Sequence, residues 1–298
     1  MESQNQSLRQ GCFQKQNTVQ IIRSGCNLDI YEVKKGMKTK LRTALIILLC
    51  IVVMLAVPGI AAGGAPALLF EDSFDGQSLD SAKWAPCPDW VRQDGLSVWD
   101  SRLVRLNGEG QLVLRAEWDE AAGRVRAGAV RTMGLFSAGY GYYEASIRFP
   151  SAPGIWGAFW MMCGNVSGEG NGARDGVEID IIETIANERG ASNSALHWDG
   201  YASAHQSQNS GEYGFDIYDG QFHTFGLDRT SEGYRFYVDG VLAWQVTDGR
   251  CSPCPENGYL KLTLESAAWA GGGTAACKLA LPVEMQVDYV RVYSSRPK

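Results

Sequence analysis

Glu178, Asp180 and Glu183 fall within the run Val177-Glu178-Ile179-Asp180-Ile181-Ile182-Glu183-Thr184. Carboxyl groups at this spacing can divide acid–base and nucleophilic work, one attacking while ionised and another giving up a proton. The intervening residues have the composition of a buried β-strand. Side chains alternate faces along a strand, so Glu178 and Asp180 share one face while Val177, Ile179 and Ile181 share the other. Strict alternation would send Glu183 into the apolar face, where an unpaired carboxylate costs several kcal/mol. A one-residue β-bulge near Ile181-Ile182 removes that conflict and returns Glu183 to the face of the other two acids. Crowding then makes at least one of the three keep its proton near neutral pH. Such a trio suits glycoside hydrolysis by double displacement, in which nucleophile and acid stand roughly 5–5.5 Å apart. The same run would also serve, without chemistry, as a solvated acidic strand edge.

The rest of the chain must supply a sheet to hold that strand. Its 298 residues include 35 Gly, 9 Trp and 12 Tyr, with a net charge of −6. Short aromatic and β-branched runs separated by Gly, Asn, Asp and Ser predict an all-β fold, a two-sheet antiparallel β-sandwich. There is no basic stripe, which excludes nucleic acid as the expected partner. From residue 66 onward the length suits one large domain with a single core, expected to act as a monomer.

Residues 1–36 form a polar extension without periodicity, and Met37 is a plausible true start. Residues 37–65 run from Lys38, Lys40 and Arg42 through the apolar stretch Ala44–Val57 to small residues at Ala61–Ala65. That order predicts a secretory signal cleaved near Ala62 or Ala65, hence an extracellular enzyme. A membrane anchor is the alternative, although Pro58-Gly59 interrupts a span that is only just long enough. Beyond it lie Cys87, Cys163, Cys251, Cys254 and Cys277, an odd number. A disulfide from Cys251 or Cys254 to Cys277 is expected, with Cys163 a buried small residue.

Further along, ordered motifs resemble glycoside hydrolase family 16. They begin with Phe70-Glu71-Asp72-Ser73-Phe74-Asp75-Gly76 and Trp84. Gly139-Tyr140-Gly141-Tyr142-Tyr143-Glu144-Ala145 and Gly154-Ile155-Trp156-Gly157-Ala158-Phe159-Trp160 follow. After the acidic run come His197-Trp198, Phe222-His223-Thr224-Phe225-Gly226-Leu227 and Phe236-Tyr237-Val238-Asp239-Gly240. Val287-Asp288-Tyr289-Val290-Arg291-Val292-Tyr293 closes the series. The E-x-D-x-x-E form resembles the laminarinase-like branch, and the resemblance implies a concanavalin A-like jelly roll over residues 66–298.

By that resemblance Glu178 is the nucleophile, Glu183 the general acid/base and Asp180 the residue between them that sets the charge balance. His197 matches a histidine near the catalytic strand, and a purely structural role stands beside that reading; His205 and His223 are expected to be structural. Trp156, Trp160, Trp198 and Trp269 are candidate sugar platforms, since pyranose rings present an apolar face. Glu144 is a candidate hydroxyl-binding residue. The family also implies a structural calcium held by Glu71, a carbonyl near Gly110, and Asp288, while the chemistry needs no cofactor. Two stretches depart from the family pattern: Arg229 replaces an aromatic residue, and Leu264-Glu265-Ser266-Ala267-Ala268-Trp269 replaces an Asn-containing strand.

The reading favoured is a secreted, endo-acting, retaining β-glycosidase that cuts β-1,3- or mixed-linkage β-glucan. A galactan hydrolase is the competing enzyme. Sulfated galactans would call for Lys and Arg along the cleft, and none adjoins the catalytic motifs in sequence. A lectin-like sandwich without catalysis is the third possibility, against which the three retained acids speak.

Overall fold

The computed structural model describes residues 65–92, 94–185 and 191–298. The polar extension 1–36 and the export segment 37–65 lie, but for Ala65, outside them. Among the described residues no helix is long and apolar enough to cross a membrane.

Alternating runs of apolar and polar residues become strands, as a pleated backbone requires. Nine precede the acidic run: β1 (Leu68–Asp72), β2 (Ala85–Pro86), β3 (Ser97–Trp99), β4 (Val104–Leu106), β5 (Leu112–Asp119), β6 (Arg124–Ala127), β7 (Ala129–Arg131), β8 (Gly141–Arg148) and β9 (Ile155–Gly164). The acids lie on β10 (Gly176–Ile185). After it come β11 (Ala191–Trp198), β12 (Gln206–Asn209), β13 (His223–Thr230), β14 (Gly233–Val238), β15 (Val241–Val246), β16 (Gly258–Ser266) and β17 (Val283–Tyr293). Ten strands form one sheet, in the order β15-β14-β13-β8-β17-β5-β6-β3 with β1 on β17 and β4 on β5. Seven form the other, in the order β12-β11-β10-β9-β16-β7-β2. The result is the expected antiparallel sandwich, with one parallel contact between β3 and β6.

The facing sides of the two sheets form the core. Leu112 and Leu114, Tyr143, Ala145 and Ile147, Phe159 and Met161, Val177 and Ile179, and Leu260, Leu262 and Leu264 are all buried there, each two residues from the next on its strand. Burying each large side chain is worth about 1.5–3 kcal/mol. The intervening residues of the seven-stranded sheet point to its outer face. Ala158, Trp160 and Met162 of β9 meet Cys87, Ala129 and Trp99 there, in a second and smaller cluster.

The expected disulfide is absent. Cys251, Cys254 and Cys277 are free and buried, as are Cys87 and Cys163. Cys277 sits on the short helix Ala275–Ala280 with its Sγ 3.8 Å from Ser266 Oγ. The other two flank a network around Tyr234, whose hydroxyl donates to Ser252 O at 3.0 Å and accepts from Cys254 N at 2.9 Å.

Arg229 explains its own departure from the family pattern. Its side chain is fully buried, and its guanidinium donates to the carbonyls of Gly139 at 3.1 Å and Cys254 at 2.7 Å, and also to those of Ala138 and Glu256. Where an aromatic ring would only pack, this side chain ties the chain entering β8 to the chain entering β16.

Candidate active site

The bulge forms where the sequence requires it. Asp180 and Glu183 of β10 pair with Ala195 and Asn193 of β11, three steps on one strand against two on the other. On the opposite side Asp180 pairs with Trp160 and Ile182 with Phe159, which makes Ile181 the extra residue. Both Ile181 and Ile182 enter the core. The polar groups disturbed by the bulge find partners in neighbouring side chains. Ser194 Oγ donates to Ile181 O at 2.7 Å. Thr184 Oγ1 accepts from Gly157 N at 2.8 Å and donates to Gly157 O at 3.1 Å. Without these bonds each buried orphan would cost about 1–3 kcal/mol.

Glu178, Asp180 and Glu183 consequently share the outer face with Met162, Trp160 and Ala158, their partners on β9. The three acids differ in surroundings. Burial raises the Glu178 carboxyl, while a hydrogen bond from Tyr201 and the charges of Lys261, Arg92 and His205 favour its ionised form. Tyr201 Oη donates to Glu178 Oε2 at 2.5 Å. This tyrosine is brought in by a turn after β11, where Asp199 and Gly200 adopt left-handed φ values of 58° and 76°. Burial together with the charges of Glu178 and Glu265 pushes Glu183 up to about 8, opposed by the Trp156 indole. Asp180 is buried and raised well above an ordinary aspartate, by burial and by both glutamates.

His197 lies opposite Glu178 on β11. Its Nε2 is 3.4 Å from Asp180 Oδ2, and its Nδ1 is 3.0 Å from His205 Nε2. Burial and His205 lower it to about 4, so the imidazole is neutral where the acids operate. His205, expected to be structural, stacks on His197 with ring centroids 5.2 Å apart and joins the site. His223 lies elsewhere, between Asp219 and Asp239.

The candidate sugar platforms separate into two groups. Trp156 faces the site beside Glu183, and the half-exposed Trp269 meets it edge-on at 4.8 Å. Trp160 reaches the same face, but Lys261 Nζ covers its ring at 3.5 Å from the centroid, so that side of the indole is not free for a sugar. Trp198 is buried in the sandwich core: it follows His197, and adjacent strand residues face opposite ways. Glu144 is also not at the site. It lies on β8 of the ten-stranded sheet, where Tyr142 and Tyr289 donate to its carboxylate at 3.0 and 2.9 Å.

The three positions expected to hold calcium, Glu71, Gly110 and Asp288, lie on or beside strands of the ten-stranded sheet, away from the acidic strand. Arg291 Nε donates to Glu71 Oε1 at 2.8 Å, so a guanidinium already neutralises the acid that β1 would supply. Asp288 is the extra residue of a bulge in β17, and Gly110 turns with φ 78° beside Asp75. Among the described residues, one group of acids and histidines is close enough to hold a metal, and it is Glu178, Asp180 and His197 of the acidic centre itself.

Several residues at the site were not singled out in the sequence. Glu265 of β16 is buried in an ion pair with Arg92, whose guanidinium lies over the rings of Trp99 and Trp90. Lys261, Tyr201 and Arg131 also line this face. Glu265 lies in the stretch Leu264–Trp269 that departs from the family pattern, the others belong to no motif, and fold geometry brings them together.

Comparison with known proteins agrees with this arrangement. The profile of Glycosyl hydrolases family 16 matches residues 97–291. Glucan endo-1,3-beta-glucosidase A1 of Niallia circulans is 25% identical over 261 residues, covering 77% of this chain and 38% of that protein. Keratan-sulfate endo-1,4-beta-galactosidase of Sphingobacterium multivorum is 29% identical over 243 residues, covering 76% of this chain and 54% of that protein. The chain thus spans between about two fifths and about half of these two relatives. The X-ray structure of endo-beta-1,3-glucanase from Pyrococcus furiosus superposes with a TM-score of 0.65 at 26% identity, covering 79% of this chain and 97% of that one. A two-sheet sandwich, a bulged strand carrying three acids on its outer face and a family match across most of the described residues lead to one conclusion: this chain belongs to glycosyl hydrolases family 16.

Proposed function

We propose that the protein is an endo-acting, retaining β-glycosidase that hydrolyses β-1,3- or mixed-linkage β-1,3-1,4-glucan. The observation that carries this reading is the difference in charged and hydrogen-bonding neighbours between two glutamates on one bulged strand, both of which burial raises. Tyr201, Lys261 and Arg92 favour charge on Glu178, while Glu178 and Glu265 favour a proton on Glu183. Two titratable groups whose surroundings push them apart mark the nucleophile and the acid.

In the first step a Glu178 carboxylate oxygen attacks the anomeric carbon as the glycosidic C–O bond breaks. Glu183 transfers its proton to the departing oxygen. The product is a glycosyl ester on Glu178, whose second oxygen can still accept from Tyr201. In the second step Glu183, now ionised, takes a proton from water. The water oxygen bonds to the anomeric carbon, and Glu178 leaves as carboxylate. Asp180 keeps its proton through the cycle and limits repulsion between the two glutamates. Trp156 and Trp269 present aromatic surface to sugars beside Glu183. These steps draw on side chains alone.

The three acids come from one strand, so a single chain suffices to form the centre, which is compatible with action as a monomer. The order of charged, apolar and small residues over 37–65 supports export, as a polysaccharide substrate requires. The glucan reading draws on the Niallia and Pyrococcus relatives. A galactan reading stands beside it because Lys261 and Arg131 lie on the same face as the acids, contrary to the expectation from sequence that the cleft lacks cations. A purely lectin-like role would leave the polarised carboxylates without a task.

The test incubates wild-type protein and variants with β-1,3-glucan, mixed-linkage glucan and galactans. Wild type should release oligosaccharides from one class, and Glu178→Gln should release none. Glu183→Ala should retain activity on substrates whose leaving group needs no proton and should give a β-glycosyl azide when azide is added. Azide rescue of Glu178→Ala with the same β product would reverse the two assignments.

A further inference from the structure

Asp180 is 4% exposed, yet among the described residues no group donates a hydrogen bond to its carboxyl. The group that comes nearest is His197 Nε2, 3.4 Å from Oδ2. Glu178 stands beside them, and one atom from each of Glu178, Asp180 and His197 lies within 4.8 Å of the other two. Tyr201 donates to Oε2 of Glu178, which leaves Oε1 free. The second ring nitrogen of His197, Nδ1, is 3.0 Å from His205 Nε2, so His205 fixes how the imidazole faces the acids. The third histidine offers no such convergence. His223 turns Nδ1 to Asp239 and Nε2 to Asp219, and nitrogens on opposite sides of one ring cannot meet at a single ion.

A buried carboxyl without a donor is costly, and a cation is the other kind of partner that satisfies it. One imidazole with two carboxyl groups suits a borderline ion such as zinc. Tetrahedral zinc, with bonds of about 2.0–2.2 Å to nitrogen and oxygen, sets neighbouring ligand atoms roughly 3.3–3.5 Å apart. The separation between His197 Nε2 and Asp180 Oδ2 already falls in that interval. Glu178 has the longer acidic side chain and closes the remaining gap by rotation, while water takes the fourth position. Zinc-bound imidazoles hand their other ring N–H to an acceptor, and His205 Nε2 is placed to accept it from His197 Nδ1. Calcium would call for about six to eight oxygen ligands, more than two carboxyl groups beside a ring nitrogen supply. The ion enters in exchange for the proton on Asp180, which passes to solvent.

We propose that Glu178, Asp180 and His197 form a chelating site for a zinc-like divalent ion, with His205 orienting the imidazole. An ion held there engages the Glu178 oxygen that would attack the anomeric carbon, so metal and glycan exclude one another. That consequence rests on the glycosidase reading above, but binding of the ion requires no turnover.

The experiment titrates the full chain with zinc chloride by calorimetry and with cobalt(II) chloride, whose visible absorption is strong when the ion is tetrahedral. We expect saturable zinc binding and a cobalt spectrum that zinc abolishes. His197→Gln and Asp180→Asn should each weaken zinc binding by at least about 100-fold, and His205→Gln by about ten-fold as the loss of an orienting partner. His223→Gln should leave it unchanged, with circular dichroism showing the variants folded. If His197→Gln fails to fold, the half-buried Glu178→Gln decides, since an amide is a poor ligand for the ion. Hydrolysis by wild type should fall as zinc saturates the site and return when a chelator is added, while calcium at the same concentration leaves it unchanged. Absence of saturable binding would overturn the proposal. So would binding that survives in the folded His197→Gln or Glu178→Gln protein, or hydrolysis that persists at saturating zinc. If zinc binds as expected but the metal-free protein hydrolyses no β-glucan or galactan, the metal site stands and the glycosidase reading falls.

Discussion

Glu178 and Glu183 are chemically identical and are separated by what touches them. Glu178 has a phenol donor and nearby cations, whereas Glu183 faces two other carboxylates across a largely desolvated site. The pH profile of kcat/KM should record this difference. Activity should fall as pH rises through about 8, where Glu183 loses the proton it must donate. On the acid side it should fall as Glu178 takes up a proton, at a pH above the ordinary glutamate value. Glu265→Gln removes one of the charges that raise Glu183 and should shift the alkaline limb to lower pH. An unmoved limb in that variant would mean that Glu265 does not act on the acid. Stability carries the same signature. A carboxyl raised on folding contributes stability that is fully present below its unfolded value and is lost as pH rises through the folded one. Wild type should therefore lose stability between about pH 4.5 and 8, and Glu183→Gln should lose less over that window in thermal melts.

The bulge in β10 turns a row of residues into a site, and it can be tested by changing its length. Deleting Ile181 gives a regularly alternating strand in which Glu178, Asp180 and Glu183 still share a face. It also removes a buried isoleucine and the carbonyl to which Ser194 donates. A protein less stable by about 2–5 kcal/mol with low but measurable hydrolysis is expected, by analogy with the loss of a buried aliphatic side chain. Inserting a residue at the same place should be worse: with the bulge kept Glu183 turns toward the core, and with the strand straightened it regains the face but moves two residues further along the strand from Asp180 than in the deletion variant. Chemical denaturation and β-glucan assays on both variants would check this. The bulge was legible in the sequence because E-x-D-x-x-E conflicts with period two unless one residue is extra. The sugar platforms were less so. Trp198 sits beside His197 in the chain, but only the face assigned to each separates a site residue from a core residue. Glu144 lies on a strand of suitable pattern, and nothing local reveals which sheet that strand joins. Lys261, Glu265, Arg92 and Tyr201 reach the site from strands and turns distant in sequence, so no spacing could announce them.

At the scale of the whole molecule, the sandwich holds the acids on the outer face of one sheet, while the other sheet and the connections between strands hold that sheet in place. Arg229 is one such connection, joining the approaches to β8 and β16 through four carbonyls. Arg229→Met should orphan several of these at a cost of about 3 kcal/mol. That corresponds to a Tm lower by about 6–12 °C for a domain of this size, with activity retained well below the transition. Arg229→Lys should recover only part of the loss, and a calorimetric scan of the three proteins would show it. All of these features bear on one proposal: a single bulge sets Glu178 and Glu183 on the same face of one strand as nucleophile and acid, and on that reading glycan cleavage would proceed by double displacement. Proton NMR of the first products released from a β-glucan, recorded before mutarotation, tests that claim most directly. We predict that the new reducing end appears first as the β anomer and only later equilibrates. An initial α anomer would place a water between the acids and contradict the account.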